Sequence, residues 1–574
     1  MGFFARFSRK LEPANGGGDF TAGSFTFDNL SELLAGNALQ YTEQEANNDV
    51  PSRGRDVAVY FQDTFKISSN LTLDYGLRWQ YLGQVFSVKN NVASFYPNRY
   101  DPSRCPAATA FVVDPVTGAL VVDPATCNVL NGIVTQKTPG VDRSLRDPHY
   151  KDFEPRVGFA WAPLANKKLL LRVGGGVYHG RDAFSQNSAT GQLPPFNNNP
   201  VLNGVSFSSM TTPFNPATPQ PAGALNVLEK SYPNPQSYQY SLGVQYEVMP
   251  RTSVEINYVG SRQIHLGRNR NINQVPASFQ PAVANFVNNG CTPDIVPTPA
   301  STCVDPNTVR PFLGFDFINV NERAATSRYN SLQVFFNRQM SHGLAFQAAY
   351  TYSRSIATTA NRDSEARDLP MQDAFHPERE KAVANQDIPH SLVFNYVWQL
   401  PFFDKTTGFR KVLLKGWQVN GISTFRSGRP LNVCLQNENA GLGDFGICER
   451  PDIVANPILD KSKRTLNEWF NTAAFVAPPL GTFGNGGRNP VRGSGINNWD
   501  FSIFKVTDIP WFGRHSGWNA AENAKIEFRA EMFNVWNHPQ FGDPGTTLGD
   551  ANFGQITGLG INPREIQFGL RLEF

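Results

Sequence analysis

Eight histidines are scattered along the 574 residues, and none falls in an H-E-x-x-H pair or at another metal-ligand spacing. Metal-assisted or histidine-based catalysis would need the fold to gather several of His149, His179, His265 and His376. Walker A, G-x-S-x-G and G-x-G-x-x-G patterns are absent. Gly174-Gly175-Gly176 offers a phosphate cradle on paper. It lies inside a strand pattern beside Arg172 and Tyr178, with no helix pattern behind it, so a bend or close strand approach is the better reading. The run GTFGNGGRNPVRGSG reads as loop. Glu527 and Glu531 could serve as an acid–base pair, but Lys525 and Arg529 beside them make balanced wall charge the simpler account. No catalytic, cofactor-binding or metal-binding residue is assigned.

The elements that carry these residues are strands. Phe is abundant at 44, Gly and Pro number 48 and 42, and charged residues are only 17%. Aromatics with many turn formers point to all-β structure with large loops. A formal net charge of +3 does not suggest a nucleic-acid partner. No run approaches about 18 consecutive apolar residues, so no transmembrane helix is expected; a barrel strand needs only about ten residues with one apolar face. The basic start, MGFFARFSRKLEP, lacks the apolar run of a secretory signal.

Period-two alternation is clearest in LTLDYGLRWQY. Leu71, Leu73, Tyr75, Leu77, Trp79 and Tyr81 share one face, and Asp74 and Arg78 lie on the other. It pairs across Ser68-Ser69-Asn70 with VAVYFQDTFKI, where Asp63 interrupts the apolar face. Similar hairpins are expected near 156–161/168–178, 238–248/253–260 and 330–338/343–353. Weaker arms fall near 390–399, 416–426, 498–506 and 525–534, with an early one at DFTAGSFTF and a last one at IQFGLRLEF. The count is about fourteen strands.

Short links alternate with long ones, near 83–152, 179–236, 262–328, 355–388 and 427–497. Structureless loops of that length argue against an ordinary compact domain. Short turns at one end and long loops at the other fit an antiparallel transmembrane β-barrel of a bacterial outer membrane, over residues 18–574, with long extracellular loops. Residues 1–17 are left as an undefined N-terminal segment. Asp74, Arg78, Arg156, Arg172, Glu527, Arg529, Glu531 and Arg571 are expected to face the lumen, and Trp79, Tyr81, Trp161, Tyr246 and Tyr258 to form an aromatic girdle. A soluble sheet with one wet face is the alternative.

The six cysteines fall within or beside three of the outer loops: Cys105 and Cys127, Cys291 and Cys303, Cys434 and Cys448. Three local disulfides made in an oxidising compartment would restrain loops expected to have no core. Unpaired or differently paired thiols remain open, because spacing does not fix connectivity.

The stretch DVAVYFQDTFKISSNLTLDYGLRW resembles TonB-dependent outer-membrane receptors, and more narrowly the Oar-like receptors with very large barrels. FEPRVGFAWAP, SYQYSLGVQYEVMPRTSVEINYVGSR, YNSLQVFFNRQMSHGLAFQAAYTYSRSI, GWQVNGISTFRSGRP and FRAEMFNVWNHPQFG follow in the family's order. The resemblance implies that Ile566, Phe568, Leu570, Leu572 and Phe574 form the C-terminal signal read by the barrel assembly machinery. It also implies a 22-stranded barrel of which this chain supplies about fourteen strands, with the plug and TonB box encoded upstream of Met1. A split gene or a small complete barrel are the other accounts. The function implied is energised uptake of a glycan, peptide or metal chelate, with the TonB complex as partner only where a plug is present. Competing readings are an adhesion barrel, a passive porin and an outer-membrane enzyme. Outer-membrane lipid and an extracellular ligand are the remaining partners, and no cofactor is expected.

Overall fold

The structure, a computed structural model, describes residues 1–13, 24–27, 30–42, 49–114, 119–181, 184, 187, 190–197, 201–206, 219, 221–359, 371–402, 410, 413–443, 447–509 and 524–573. Among them fourteen strands form one antiparallel series: β1 Gly2–Pro13, β2 Asp49–Ser68, β3 Leu71–Leu82, β4 Asp152–Trp161, β5 Leu169–His179, β6 Gln236–Met249, β7 Thr252–Asn271, β8 Phe315–Ser341, β9 Leu344–Ala357, β10 His390–Gln399, β11 Trp417–Arg426, β12 Ile496–Ile509, β13 Ala524–Phe533 and β14 Glu565–Glu573. Each strand pairs with the next along the chain. Gly223–Leu228 adds a parallel segment on the outer part of β8. No helix among the described residues is long and apolar enough to cross a membrane.

Two expectations change. Gly2–Pro13, inside the segment left undefined, is a full strand paired with β2. Its outward row is Phe3, Ala5, Phe7, Arg9 and Leu11, and Phe4 sits on the other face, so Arg9 and Phe4 blur the alternation. The early arm is not a wall strand: of DFTAGSFTF, residues 19–23 lie outside the described residues, and Ser24–Thr26 joins a small separate sheet with Asn37–Thr42. The strand total of fourteen therefore matches through a different first member.

The loop expected at 262–328 is also shorter, because β7 runs on to Asn271 and β8 starts at Phe315. Only Ile264 and Leu266 are apolar in RQIHLGRNRN, so alternation fades while backbone pairing continues through register shifts around Leu266. Period two marks only the length of strand that has lipid on one side.

Buried apolar clusters lie in the loops and strand extensions, not in the wall. One gathers Ala93, Phe95, Leu193, Leu225, Val227, Phe315, Ile318 and Val320. Another surrounds Cys105–Cys127 with Ala110, Phe111, Val122 and Ala222. A third joins Leu431, Val433, Phe470, Ala474, Phe475 and Val491. Two smaller ones centre on Val50, Val92 and Leu145, and on Val275, Ala282, Val283 and Val304. The expectation that these loops have no core is thus corrected: they fold on one another as a cap. In the wall, Val59, Phe61, Leu77, Phe159, Val173, Leu242, Ile256 and Leu332 are exposed. A continuous band of that kind on a protein in water would be an aggregation surface; in a bilayer it is the solvated face.

Candidate functional site

The strand register puts outward and inward rows on opposite faces. Leu242, Tyr258, Leu332 and Tyr352 form one outward row across β6 to β9. On the opposite face, β2 to β8 line an open hollow of about 680 Å³, bordered in part by Gln62, Asp74, Arg78, Glu154, Arg156, Gln239 and Ser241. Gly76, Gly158, Gly174 and Gly176 lie flush in this wall. Gly174 pairs with Gly158 and Ser241, so the triple glycine belongs to a strand, as its flanks implied.

Glu154 is the hub of the hollow's upper edge. Its Oε1 accepts from Gln80 Nε2 at 2.7 Å and from the His179 backbone N–H at 2.7 Å. Its Oε2 meets Arg156 Nη2 at 2.9 Å and Arg78 Nε at 3.8 Å. Asp74 accepts from Thr64 Oγ1 at 2.6 Å, and Arg172 reaches Glu255 at 3.8 Å. Arg156 lies 4.6 Å from the centre of the Tyr178 ring. Elsewhere on β2, buried Asp56 is held by Arg6 at 2.8 Å and by Arg181.

The eight wall charges named from sequence divide into two groups. Asp74, Arg78, Arg156 and Arg172 share the face around the hollow. Glu527, Arg529, Glu531 and Arg571 lie on β13 and β14, with Glu527 opposite Arg571 and paired with Arg529, and Glu531 accepting from Gln567 at 2.5 Å. Glu154 was missed, although it has the parity of Arg156 two residues on. Asp63, the outward exception, accepts from the hydroxyl of its cross-strand partner Tyr75 at 3.3 Å.

The histidines are only partly gathered. His179 lies 3.8 Å from Asp152 and 3.7 Å from Glu154. His149 is near the same corner, its pKa pushed down by burial against the pull of Asp152 and Asp147, with His265 adding to the fall. His376 sits apart, 2.8 Å from Asp373. No group of three or more His, Cys, Asp or Glu side chains placed to hold a metal occurs among the described residues.

The cysteines pair as Cys105–Cys127, Cys291–Cys303 and Cys434–Cys448. Within the last loop, Glu449 accepts from the Asn439 and Ala440 N–H groups at 2.8 and 2.9 Å, and Glu438 from Leu442 N–H at 2.5 Å. The two carboxyls adjoin. Burial, then the charge of Glu438, pushes Glu449 well above the carboxylate range, and burial also raises Glu438. Of the C-terminal row, Ile566, Phe568, Leu570 and Leu572 face Met532, Ala530, Phe528 and Ile526; Phe574 lies outside the described residues.

Comparison with known proteins agrees with this geometry. The family described as an outer membrane beta barrel domain matches residues 2–567. The chain belongs to that family. It is a barrel chain of the bacterial outer membrane, with the apolar rows to lipid. Similar solved structures include FpvA of P. aeruginosa bound to pyoverdines, at 10% identity and TM-score 0.38 over 91% of this chain and 39% of that one. The outer membrane transporter YddB of Escherichia coli matches at 10% identity and TM-score 0.40 over 93% and 54%. The siderophore receptor PiuA of Acinetobacter baumannii matches at 7% and 0.39 over 92% and 44%. The outer-membrane barrel chain thus spans between 39% and 54% of the length of these three. No curated protein sequence matches it.

Proposed function

We propose that this barrel is the wall and ligand-capturing cap of a TonB-dependent receptor, which takes up a glycan, peptide or metal chelate with energy from the inner membrane. The observation that carries this reading is a folded, disulfide-tied cap standing over a charged and glycine-smoothed inner wall. A folded cap can hold a specific ligand, and a polar wall gives it a wet path through the membrane. The fold needed for both is that of the family the chain belongs to.

The test is uptake by cells that carry the whole gene. Fluorescent metal chelates, oligopeptides and oligosaccharides are offered with and without a deletion of tonB. Accumulation of one class that disappears with the deletion supports the proposal. Accumulation unaffected by the deletion sinks it in favour of a passive pore, and surface binding without accumulation favours adhesion.

A further inference from the structure

The outward rows of β6 to β9 change character along the strands. Tyr246, Val254, Phe336 and Ala348 form one row near the short turns, and Leu242, Tyr258, Leu332 and Tyr352 another further up. The next row is Tyr240, Gly260, Asn330 and Arg354. Here Asn330 Oδ1 accepts from Tyr240 Oη at 3.2 Å and from Tyr258 Oη at 2.7 Å. Two tyrosine hydroxyls tied at one level mark the membrane–water boundary.

One rung higher, about 7 Å along the strand, the row reads Tyr238, Arg262, Arg328 and Ile356. Arg262 and Arg328 are direct cross-strand partners. Like charges so placed repel. Both are exposed, and neither they nor Lys381 makes an ion pair among the described residues. A groove of about 740 Å³ on this wall is lined by Tyr238, Arg262, Ile264, Arg328, Ile356 and Lys381. It offers three cations, with aliphatic and aromatic side chains on its floor.

We infer that this groove binds the phosphorylated headgroup of a lipid in the outer leaflet. The depth selects a lipid over a soluble ligand, because the groove's lining continues the outward rows one rung above the tyrosine level. The chemistry selects phosphate, since guanidinium forks match its oxygens and an anion between Arg262 and Arg328 removes their repulsion. Ile264, Ile356 and the tyrosine rings pack the apolar parts of the same lipid.

The probe is diphosphorylated lipid A, titrated into the purified chain in zwitterionic detergent. Dephosphorylated lipid A and inorganic phosphate are the control arms. R262Q/R328Q is compared with wild type, and K381Q, outside the strands, serves as a second variant. Heat-modifiable migration reports folding. Wild type should bind the diphosphorylated lipid at least about ten times more tightly than R262Q/R328Q and several times more tightly than K381Q. The melting temperature supplies a second readout. Without lipid, R328Q should melt higher than wild type because the repulsion is relieved; with lipid the order should reverse. Equal binding by wild type and both variants would overturn the proposal. So would equal binding of dephosphorylated lipid, or inorganic phosphate competing at the lipid's own concentration.

Discussion

At the scale of single residues, the same physics acts differently in the wall and in the cap. Gly260 has its Cα beside the Tyr240 ring, and an added Cβ would lie 2.2 Å from it. Gly260→Ala must therefore displace that ring and its hydrogen bond to Asn330. We expect a loss of about 1–3 kcal/mol, read as a lower temperature for the heat-modifiable transition; an unchanged transition would refute it. In the cap, Glu449 is 5% exposed and its pKa is raised on folding. The folded state thus binds more protons than the unfolded one, and stability falls as pH rises. The contribution is fully present below the ordinary carboxylate value of 4.5 and is lost as pH rises through the raised value. Glu449→Gln keeps a hydrogen-bonding group without the proton. Proteolysis of the 434–448 loop should accelerate from acid to neutral pH in wild type and much less in the variant. Parallel pH curves for the two would show that the carboxyl pair is not responsible.

At the scale of elements, the last strand has the largest consequence. β14 pairs with β13 over nine residues, with Ile566, Phe568, Leu570 and Leu572 turned to the lipid side. Removing Leu572 to Phe574 deletes an apolar anchor and the final aromatic. We expect membrane assembly to be abolished, and normal heat-modifiable migration of the truncated chain would contradict this. The hairpins of β2 with β3 and β8 with β9 were legible because one side of each strand meets lipid, which imposes strict alternation. β1 was not, because Arg9 and Phe4 break the pattern and only pairing to Asp49–Tyr60 makes it a strand. The upper parts of β7 and β8 were missed for a related reason: RQIHLGRNRN is mostly polar and the start of β8 from Phe315 is largely covered by protein, so neither alternates.

At the scale of the whole molecule, cap and wall are separate solutions to burial. The wall sets its apolar rows on one face and its charges on the other, whereas the cap builds cores of its own around Phe95, Cys105–Cys127 and Phe470. Replacing Cys105 and Cys127 by alanine should therefore loosen the cap and leave the wall intact. The bridge closes a sequence separation of 22 residues, for which about 3 kcal/mol is expected. Proteolysis should open the 83–151 segment while heat-modifiable migration persists. Simultaneous loss of both would mean that cap and wall fold as one unit.

By itself the sequence determined the class of fold, thirteen of the fourteen wall strands and the alternation of their faces. All of these follow from a local rule: a strand between lipid and water must alternate. It did not determine the cores of the cap, the hub at Glu154, the carboxyl pair Glu438–Glu449 or the arginine row above the tyrosines. Those depend on which residues meet across loops up to tens of residues long and on strand register, and neither leaves a period in the chain. Arg262 and Arg328 stand 66 positions apart in the sequence; only the pairing of β7 with β8 makes them neighbours.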